Sequence, residues 1–368
     1  MPVPFQRPRA LVLLLALTAA AFVLAAGLAS SAMAANGAVY TQTNDPAGNA
    51  VQRFDLGHDG SLEPAGTLPT GGAGLAALGG RQGAVELSGD GRRLFAVNAG
   101  SNTVSVFKAG PDRLELVHQI ASGGTAPVSI ATGRGRVYVL NSGGTANVAA
   151  FDREDGTLEP LGTQDLTPGA AGAAQVSVMP DGRSLVVSER LSNRLETLPL
   201  DPSGRPGEPV VTASSGAVPF GFAISQSGTI VVSEAGASTV SSYREGAAGA
   251  LATVTASTPV GQGAACWVAI SPSGRFAYTG NASGSISGYA IAPDGALTAL
   301  DANGLTAPLV PSPRDLDFDA SGRFLIAVSP GNAATGGRLT SYRAATDGSL
   351  AVVDTAPAAA GITGAAAS

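Results

Sequence analysis

The stretch DGRRLFAVNAGSNTVSVF, residues 90–107, contains the pattern that decides the fold. It begins with a tight turn, Asp90-Gly91-Arg92, and continues into an apolar run that ends at Asn98. After a second turn, apolar and polar residues alternate through Val104 and Val106, which is typical of a half-buried β-strand. Glycine in the first turn suits a two-residue hairpin, where the backbone needs a positive φ. The stretch therefore predicts two antiparallel strands with tight connections.

The same kind of turn returns along the chain at a nearly constant interval. Its central glycine lies at positions 91, 135, 182, 228, 274 and 322, so consecutive copies stand 44, 47, 46, 46 and 48 residues apart. Four-stranded propeller blades repeat every ~40–50 residues. Within the second unit, the pattern predicts strands over 85–88, 94–98, 103–108 and 114–120. We therefore predict an all-β protein, a seven-bladed β-propeller with four-stranded antiparallel blades.

The first unit contains only three predicted strands, over 38–43, 50–56 and 62–68, and lacks an innermost strand. The segment Gly361-Ile362-Thr363-Gly364-Ala365, near the end of the chain, is similar to the start of the other units. We expect this C-terminal strand to complete the first blade beside the strand over 38–43. Such closure removes the open sheet edges that otherwise invite aggregation.

Residues 1–34 have the composition of a signal peptide. Arg7 and Arg9 give a basic start, an apolar run follows over 10–29, and Ala32-Met33-Ala34 offers the small residues that a signal peptidase recognises. The alternative is an uncleaved membrane anchor, because the apolar run is long enough to span a bilayer. We expect cleavage after Ala34 and export by the Sec route to the cell envelope or the medium. The remaining residues, 35–368, are then one propeller domain without a membrane span.

Composition excludes several kinds of partner and site. Charged residues make up 13% of the chain and the net charge is −6, so nucleic acid finds no basic surface. Cys266 is the single cysteine, so no intramolecular disulfide can form, and we expect a buried, unreactive thiol. Motifs for metal, calcium, phosphate and nucleophile-elbow sites are missing, and we expect neither a metal nor a cofactor. We expect a monomer, with a small molecule or a glycan as the candidate ligand.

Two segments of the repeat resemble the YVTN-type and lactonase-type seven-bladed propellers. They are Leu94–Asn98 with Ser101–Phe107, and Ala277–Asn281 with Ser285–Tyr289. The resemblance covers nearly all of residues 37–368. It implies relatives such as 6-phosphogluconolactonases and carboxymuconate cyclases, with a central cluster of histidine, arginine and glutamate. The family signature Pro-Arg-His corresponds here to Pro313-Arg314-Asp315, so the arginine is kept and the histidine is replaced.

One position distinguishes two units from the others. Alignment on the turn glycine places these residues at the end of each second strand: Asn44, Asn98, Asn141, Glu189, Glu234, Asn281 and Ser329. An asparagine there is expected to stabilise the next turn by bonding the backbone two residues on. Glu189 and Glu234 depart from this pattern in adjacent blades. We predict that both lie on one rim of the propeller.

The predicted rim defines a candidate site, because strand starts and strand ends from several blades meet there. Glu234 and Glu189 are predicted to act as acid and base or to bind a cation, and Arg314 to hold a carboxylate. Trp267 is predicted to stack on a sugar or an aromatic ligand or, alternatively, to fill the channel. The further substrate-binding residues predicted for this rim are Gln175 and Arg190. The alternative for both glutamates is a solvated surface position.

Two functions remain open at this level. The first is a secreted lactonase-like enzyme that opens or forms the lactone of a small organic acid or sugar acid in the central pocket. The second is a non-catalytic extracellular propeller that binds a small ligand, a glycan or a protein on its rim. A structural envelope protein is a third alternative, for which the sequence has no positive feature.

Overall fold

A computed structural model describes residues 1–2, 35–75, 82–154, 156–307 and 312–368 of the protein. The predicted leader and its cleavage site lie outside the described residues, apart from the first two. Within the described part of the chain, 28 strands form seven four-stranded sheets, all antiparallel. The predicted seven-bladed propeller is therefore confirmed. None of the described helices is long and apolar enough to cross a membrane.

The strands are numbered in chain order and grouped here by blade. Blade 1 contains β1 (Ala35–Gln42), β2 (Ala50–Gly57), β3 (Leu62–Pro69) and the last strand of the chain, β28 (Thr363–Ala367). Blade 2 contains β4 (Val85–Leu87), β5 (Arg93–Asn98), β6 (Thr103–Ala109) and β7 (Leu114–Ala121). Blade 3 contains β8 (Thr125–Gly133), β9 (Arg136–Gly143), β10 (Asn147–Glu154) and β11 (Thr157–Asp165).

The other four blades follow the same order along the chain. Blade 4 contains β12 (Ala173–Val178), β13 (Ser184–Glu189), β14 (Arg194–Pro199) and β15 (Val210–Ala213). Blade 5 contains β16 (Pro219–Ile224), β17 (Thr229–Glu234), β18 (Thr239–Glu245) and β19 (Leu251–Pro259). Blade 6 contains β20 (Ala265–Ile270), β21 (Phe276–Asn281), β22 (Ser285–Ile291) and β23 (Leu297–Ala299). Blade 7 contains β24 (Asp315–Phe318), β25 (Phe324–Asn332), β26 (Gly336–Ala344) and β27 (Leu350–Ala358).

The C-terminal strand closes the ring as predicted, although it begins two residues later than expected. In the register of β28 against β1, Val39 lies opposite Ala367 and Gln42 lies opposite Thr363. The amide of Ala38 also donates a hydrogen bond to Ser368 Oγ at 2.8 Å. The innermost strand of blade 1 is therefore supplied by the end of the chain, and the first and last of the described strands share one sheet.

Apolar side chains on both faces of each blade form the core. All six residues of β13, β17 and β21 are buried, because the second strand of a blade is covered by sheets on both sides. The outermost strands are more exposed, and in β11 Leu158 is the single buried residue. Between blades, clusters such as Leu140, Val148 and Leu185 pack face to face. The repeating turn glycines 91, 135, 182, 228, 274 and 322 all have φ between 64° and 84°, so the predicted positive φ is confirmed. The predicted two-residue length holds only between β8 and β9, because the other five connections are longer, such as residues 88–92 between β4 and β5.

The innermost strands position the candidate site. They are β28, β4, β8, β12, β16, β20 and β24, one from each blade. Each runs antiparallel to the second strand beside it, so the start of the first and the end of the second meet at one end of the propeller. We call this end the upper rim.

Candidate functional site

Side chains from four consecutive blades meet on the upper rim. Arg190 follows β13, Phe220 lies in β16, Cys266 and Trp267 lie in β20, and Arg314 immediately precedes β24. We call these five residues the rim cluster. Each is held at the start of an innermost strand or just after the end of a second strand, so the ring geometry brings together residues that are far apart in sequence.

Two aromatic rings form the floor of the rim cluster. Trp267 is fully buried and Phe220 is 8% exposed. Their centroids lie 5.7 Å apart with an interplanar angle of 69°, an edge-to-face arrangement. The Trp267 Nε1 group is buried without a hydrogen-bond partner among the described residues. Trp267 thus packs against Phe220 with the Arg314 guanidinium over its ring, and its role towards a ligand stays a prediction.

Two guanidinium groups cover this floor. Arg314 Cζ lies 5.4 Å from the Trp267 ring centroid, and Arg190 Cζ lies 5.1 Å from the Phe220 ring centroid, both within the range of cation–π attraction. Arg190 Nε also donates to the Gly172 carbonyl at 3.3 Å. Among the ion pairs of the described residues, none involves either arginine. The rim cluster therefore carries two positive charges that no described carboxylate neutralises.

The Cys266 thiol lies within the electrostatic reach of both guanidinium groups. It is free and 7% exposed, as the sequence predicts. Burial raises its pKa to about 11, although the charges of Arg314 and Arg190 act in the opposite direction. The thiol is therefore protonated near neutral pH, and a thiolate nucleophile is not available there.

Gln175, a predicted substrate-binding residue, lies below the rim cluster in the central channel. Its amide makes two hydrogen bonds to the backbone of Phe222 in the next blade, one donated and one accepted, each 2.7 Å long. Gln82 makes the same kind of contact with the backbone of Val268: it accepts from the amide at 3.0 Å and donates to the carbonyl. That contact joins blade 2 to blade 6. Both glutamine side chains are thus used to connect blades.

These two glutamines and the innermost strands line a cavity of about 250 Å³. Its wall carries three carboxyl groups, from Glu86, Asp315 and Asp317. Burial raises the pKa of Asp317 to about 7 and raises the pKa of Asp315 and Glu86 well above their ordinary values. For Glu86, the neighbouring charges of Asp317 and Asp315 act in the same direction. The described residues contain no group of histidine, cysteine or carboxylate side chains arranged to hold a metal ion.

Asp315, which stands where the family signature has a histidine, joins blade 7 to the closing strand. Its carboxylate accepts from the Leu316 amide at 2.8 Å and from the Ala365 amide at 2.9 Å. Asp317 accepts from the Ala367 amide at 2.9 Å in the same manner. The sequence analysis missed these residues as channel groups. The sequence feature that could have indicated them is Asp315-Leu316-Asp317, where two carboxylates alternate with an apolar residue in an innermost strand.

Glu189 is fully buried in blade 4, and its partners are local. Its carboxylate accepts from Ser192 Oγ and from Arg194 Nε, the latter at 2.9 Å. Arg194 also pairs with the buried Glu196 at 3.1 Å. Burial, followed by the hydrogen bond and the charge of Glu189, raises the pKa of Glu196 to about 7. Two carboxyl groups therefore share one arginine inside the blade.

Glu234 is also fully buried, and neutral donors surround it. Its carboxylate accepts from the Gly216 amide at 2.7 Å, from Ser241 Oγ at 2.6 Å and from Thr239 Oγ1. It also accepts from Ser214 Oγ at 3.2 Å. These bonds fix the connection between blades 4 and 5 to the strands of blade 5. The alternative of a solvated surface position is wrong for both glutamates, because neither side chain reaches solvent.

The two glutamates do not join the rim cluster in the way that the sequence predicts. Among the described residues, neither forms a hydrogen bond or an ion pair with Arg190, Arg314 or Trp267. Their role in acid/base catalysis stays a prediction, and their contacts place them in the interior of blades 4 and 5. Of the six predicted site residues, the structure brings together Arg190, Trp267 and Arg314.

The asparagines of the other blades explain why a glutamate fits this position. Asn98 Nδ2 donates to Ser105 Oγ at 2.8 Å, and Asn281 Nδ2 donates to Ser287 Oγ, also at 2.8 Å. Glu234 accepts from Ser241 at the equivalent place on the third strand. The sequence analysis expected these asparagines to bond the backbone two residues further along the chain. In the structure, Asn98 and Asn281 instead bond side chains of the third strand. A serine hydroxyl can accept from an amide or donate to a carboxylate, so either residue completes the same contact.

The fold and the rim cluster define a seven-bladed β-propeller with a cationic, aromatic mouth at one end of its channel. A model of the family "Lactonase, 7-bladed beta-propeller" matches residues 47–164 and 134–268, which together span more than half of the chain. The protein therefore belongs to the lactonase family of seven-bladed β-propellers. No curated protein sequence matches the chain significantly.

Solved structures agree with this assignment at the level of the fold. A candidate 6-phosphogluconolactonase from Bacteroides fragilis superposes with a TM-score of 0.72 at 16% identity, covering 90% of this chain and 98% of that one. The periplasmic gluconolactonase PpgL of Pseudomonas aeruginosa gives 0.71 at 17% identity, with the same coverage of 90% and 98%. A hypothetical selenium-binding protein from Sulfolobus tokodaii gives 0.65 at 11% identity, covering 90% and 92%. Similarity at these identities shows the fold alone.

Proposed function

We propose that the protein is an exported lactonase-type enzyme that binds the lactone of an organic acid or sugar acid at the rim cluster. One observation carries this proposal: Arg190 and Arg314 lie over the Phe220 and Trp267 rings without a carboxylate partner among the described residues. Guanidinium groups are suited to bind carboxylates by two parallel hydrogen bonds. The aromatic rings beneath them hold the guanidinium groups in position by cation–π contact.

The chemistry of lactone opening fits such a site. Water adds to the ring carbonyl carbon, the bond from that carbon to the ring oxygen breaks, and a hydroxy acid forms. Negative charge develops on the carbonyl oxygen during the addition, and fixed cations in partly desolvated surroundings stabilise that charge. In this proposal Arg314 and Arg190 bind the oxygen and then the product carboxylate, and the Trp267 ring supports Arg314 from below.

The second candidate function, ligand binding without catalysis, has an observation of its own in its favour. Within the described residues, no carboxylate or histidine forms a hydrogen bond or an ion pair with Arg190 or Arg314, so a general base for activating water has not been placed beside them. The contacts of Glu189, Glu234 and Gln175 favour structural roles for these three residues. An anion-binding propeller would need only Arg190, Arg314 and the aromatic floor.

A lactone panel separates the two candidates. We would measure acid release at constant pH from glucono-δ-lactone and from aliphatic γ-lactones, with the wild type and with Arg314→Lys. Turnover by the wild type supports the enzyme. If no lactone is turned over while gluconate or another carboxylate binds, the ligand-binding alternative is favoured.

Export of the protein is part of the proposal. The sequence of residues 1–34 predicts a cleaved leader, and one structural neighbour is a periplasmic gluconolactonase. An exported enzyme would meet lactones of free acids outside the cytoplasm rather than phosphorylated intermediates.

A further inference from the structure

A groove next to Arg314 has no role in the function proposed above. It lies where blade 7 meets blade 1, between the β1–β2 turn, the second half of β25 and the segment that leads into β28. Its volume is about 440 Å³, within the range of small-molecule sites. We call it the blade-junction groove. Arg314, whose guanidinium lies over Trp267, is also a lining residue of this groove, so the groove and the rim cluster share this residue.

The lining of the groove is mostly apolar. Pro46, Pro330, Ala359, Ala360 and Ile362 contribute to it. The two prolines have no backbone N–H to donate. The amide of Gly361, which also lines the groove, is already bonded to the Pro330 carbonyl at 2.8 Å. A ligand in the groove therefore meets aliphatic surface.

The polar side chains of the groove are already engaged. Asn44 accepts from the Leu75 amide at 2.9 Å and donates to the Leu75 carbonyl at 3.3 Å. Thr43 Oγ1 donates to Asn49 Oδ1 at 3.3 Å and accepts from the Ala50 amide at 3.0 Å. A polyol in the groove would lose hydrogen bonds to water without gaining new ones, and such a loss is costly.

The charges of Arg314 and Asp45 determine how an acidic ligand is oriented in the groove. Arg314 and the exposed Asp45 are the two charged residues among those that line the groove, and Arg314 has no ion-pair partner among the described residues. One Asp45 oxygen accepts from the Ala47 amide at 2.8 Å. An acid group is attracted to Arg314 and repelled by Asp45, so the rest of the molecule extends along the apolar wall.

We infer that the blade-junction groove binds the aliphatic substituent of an amphipathic carboxylic acid or its lactone, with the acid group on Arg314. The inference deepens the proposed function and rests on its assignment of Arg314 to the carboxyl group. It narrows the substrate class to acids and lactones with an apolar chain, in preference to polyhydroxylated sugar acids.

Binding of plain carboxylates tests this inference without a need for turnover. The probes are butyrate, hexanoate, octanoate and gluconate, titrated into the full protein by calorimetry at one pH and one salt concentration. Affinity should rise by about threefold for each methylene that enters the groove, and gluconate should bind more weakly than octanoate. Affinities that are equal along the series, or a preference for gluconate, would overturn the inference.

A matched pair of variants locates the binding. Ala360 is exposed at the groove, and Ala345 is exposed in the β26–β27 turn, at the opposite end of blade 7. Ala360→Phe should lower octanoate affinity by about tenfold, equivalent to roughly two buried methylenes, whereas Ala345→Phe should leave it unchanged. Equal affinities in the two variants would place the aliphatic chain elsewhere and sink the inference.

The two proposals fail in different ways. If octanoate binds and Ala360→Phe weakens it, but no lactone is turned over, the groove assignment stands and the enzyme assignment fails. If lactones are turned over with a preference for glucono-δ-lactone, and Ala360→Phe has no effect on octanoate, the enzyme stands and the groove assignment fails.

Discussion

The Arg314 guanidinium lies 5.4 Å from the centre of the Trp267 ring, and this pair joins blade 7 to blade 6 on the upper rim. Trp267 is the single tryptophan of the chain, so its fluorescence reports on the rim cluster alone. The relationship links packing to function, because a cation without a carboxylate partner is held on a rigid aromatic surface. It also gives the first prediction a direct spectroscopic readout.

Arg314→Lys should weaken carboxylate binding and, if the protein is a lactonase, lower kcat/KM by about tenfold or more. A lysine ammonium cannot reproduce the planar, two-pronged guanidinium contact or its stacking on an aromatic ring. We would measure octanoate binding through Trp267 fluorescence and turnover through acid release. Arg113→Lys is the matched control, because Arg113 is 80% exposed in an outer part of blade 2. If the two variants behave alike, Arg314 has no part in the site.

Glu234→Gln should reduce stability slightly and leave activity within about tenfold of the wild type. The carboxylate accepts hydrogen bonds through both oxygens. In the variant, the glutamine oxygen can still accept from the Gly216 amide, and the Thr239 hydroxyl can rotate to accept from the glutamine NH₂ group. We expect a loss of about 1 kcal/mol in the free energy of unfolding for this variant, and about 3 kcal/mol for Glu234→Ala.

The same variants decide whether Glu234 is catalytic. General acid/base catalysis contributes typically 10²–10⁴-fold in rate. A loss of that size in Glu234→Gln, with unchanged unfolding in urea, would restore the acid/base role that the sequence suggested.

The sequence predicts the fold well because the fold depends on repetition. Glycines with positive φ at regular spacing mark each blade, and the missing strand of the first unit is found at the other end of the chain. No single position decides the outcome, so errors at individual strands do not change the number of blades.

The candidate site is harder to predict, because position on the rim does not determine where a side chain points. Glu189 and Glu234 stand at rim positions in sequence, yet both turn into their own blades to meet third-strand partners. Arg314 and Trp267 were predicted from the family signature and from the start of an innermost strand. The blade-junction groove could not have been predicted, since it depends on how the closing segment passes over β1 and β25.

Stability should fall as the pH rises from about 4.5 to 7 through the carboxyl group of Glu196. Burial and Glu189 raise its pKa in the folded protein to about 7, above the value in the unfolded chain. The folded protein therefore keeps a proton that the unfolded chain releases, and the unfolding free energy decreases across this window. The loss levels off about one pH unit above the folded-state pKa, where the group is ionised in both states.

Glu196→Gln isolates this effect. Glutamine keeps an oxygen for the Thr167 amide and cannot ionise. We would compare urea unfolding of the wild type and the variant at pH 5 and pH 7.5. The wild type should lose more stability between the two pH values than Glu196→Gln does. Other buried carboxyl groups, such as Asp317, contribute equally to both proteins and cancel in the difference. Parallel changes in the two proteins would contradict the assignment.

The mature protein should begin near Ala35 when it is expressed with its full leader in a bacterial host. The basic start, the apolar run and the Ala32-Met33-Ala34 site predict export and cleavage. Mass spectrometry of the periplasmic or secreted fraction would determine the first residue. Recovery of the intact chain in the membrane fraction alone would show that the leader is a retained anchor.

Removal of residues 361–368 should destabilise the whole propeller by more than about 4 kcal/mol, beyond the range of ordinary single substitutions. β1 would lose its partner strand and become an open edge, and the buried carboxylates of Asp315 and Asp317 would lose the amides of Ala365 and Ala367. We expect a lower melting temperature and aggregation on size-exclusion chromatography. Deletion of Ser368 alone is the control, because it removes only the bonds to Ala38.

A peptide with the sequence of residues 361–368, GITGAAAS, should partly restore the truncated protein. It can add to the free edge of β1 as a strand, where backbone hydrogen bonds supply the affinity and the side chain of Ile362 fills the core between blades 7 and 1. The melting temperature should rise with peptide concentration, and a peptide with the same residues in scrambled order should have no effect. If the truncated protein melts like the full chain, the ring is held by contacts between blades alone, and the C-terminal strand is not what closes it.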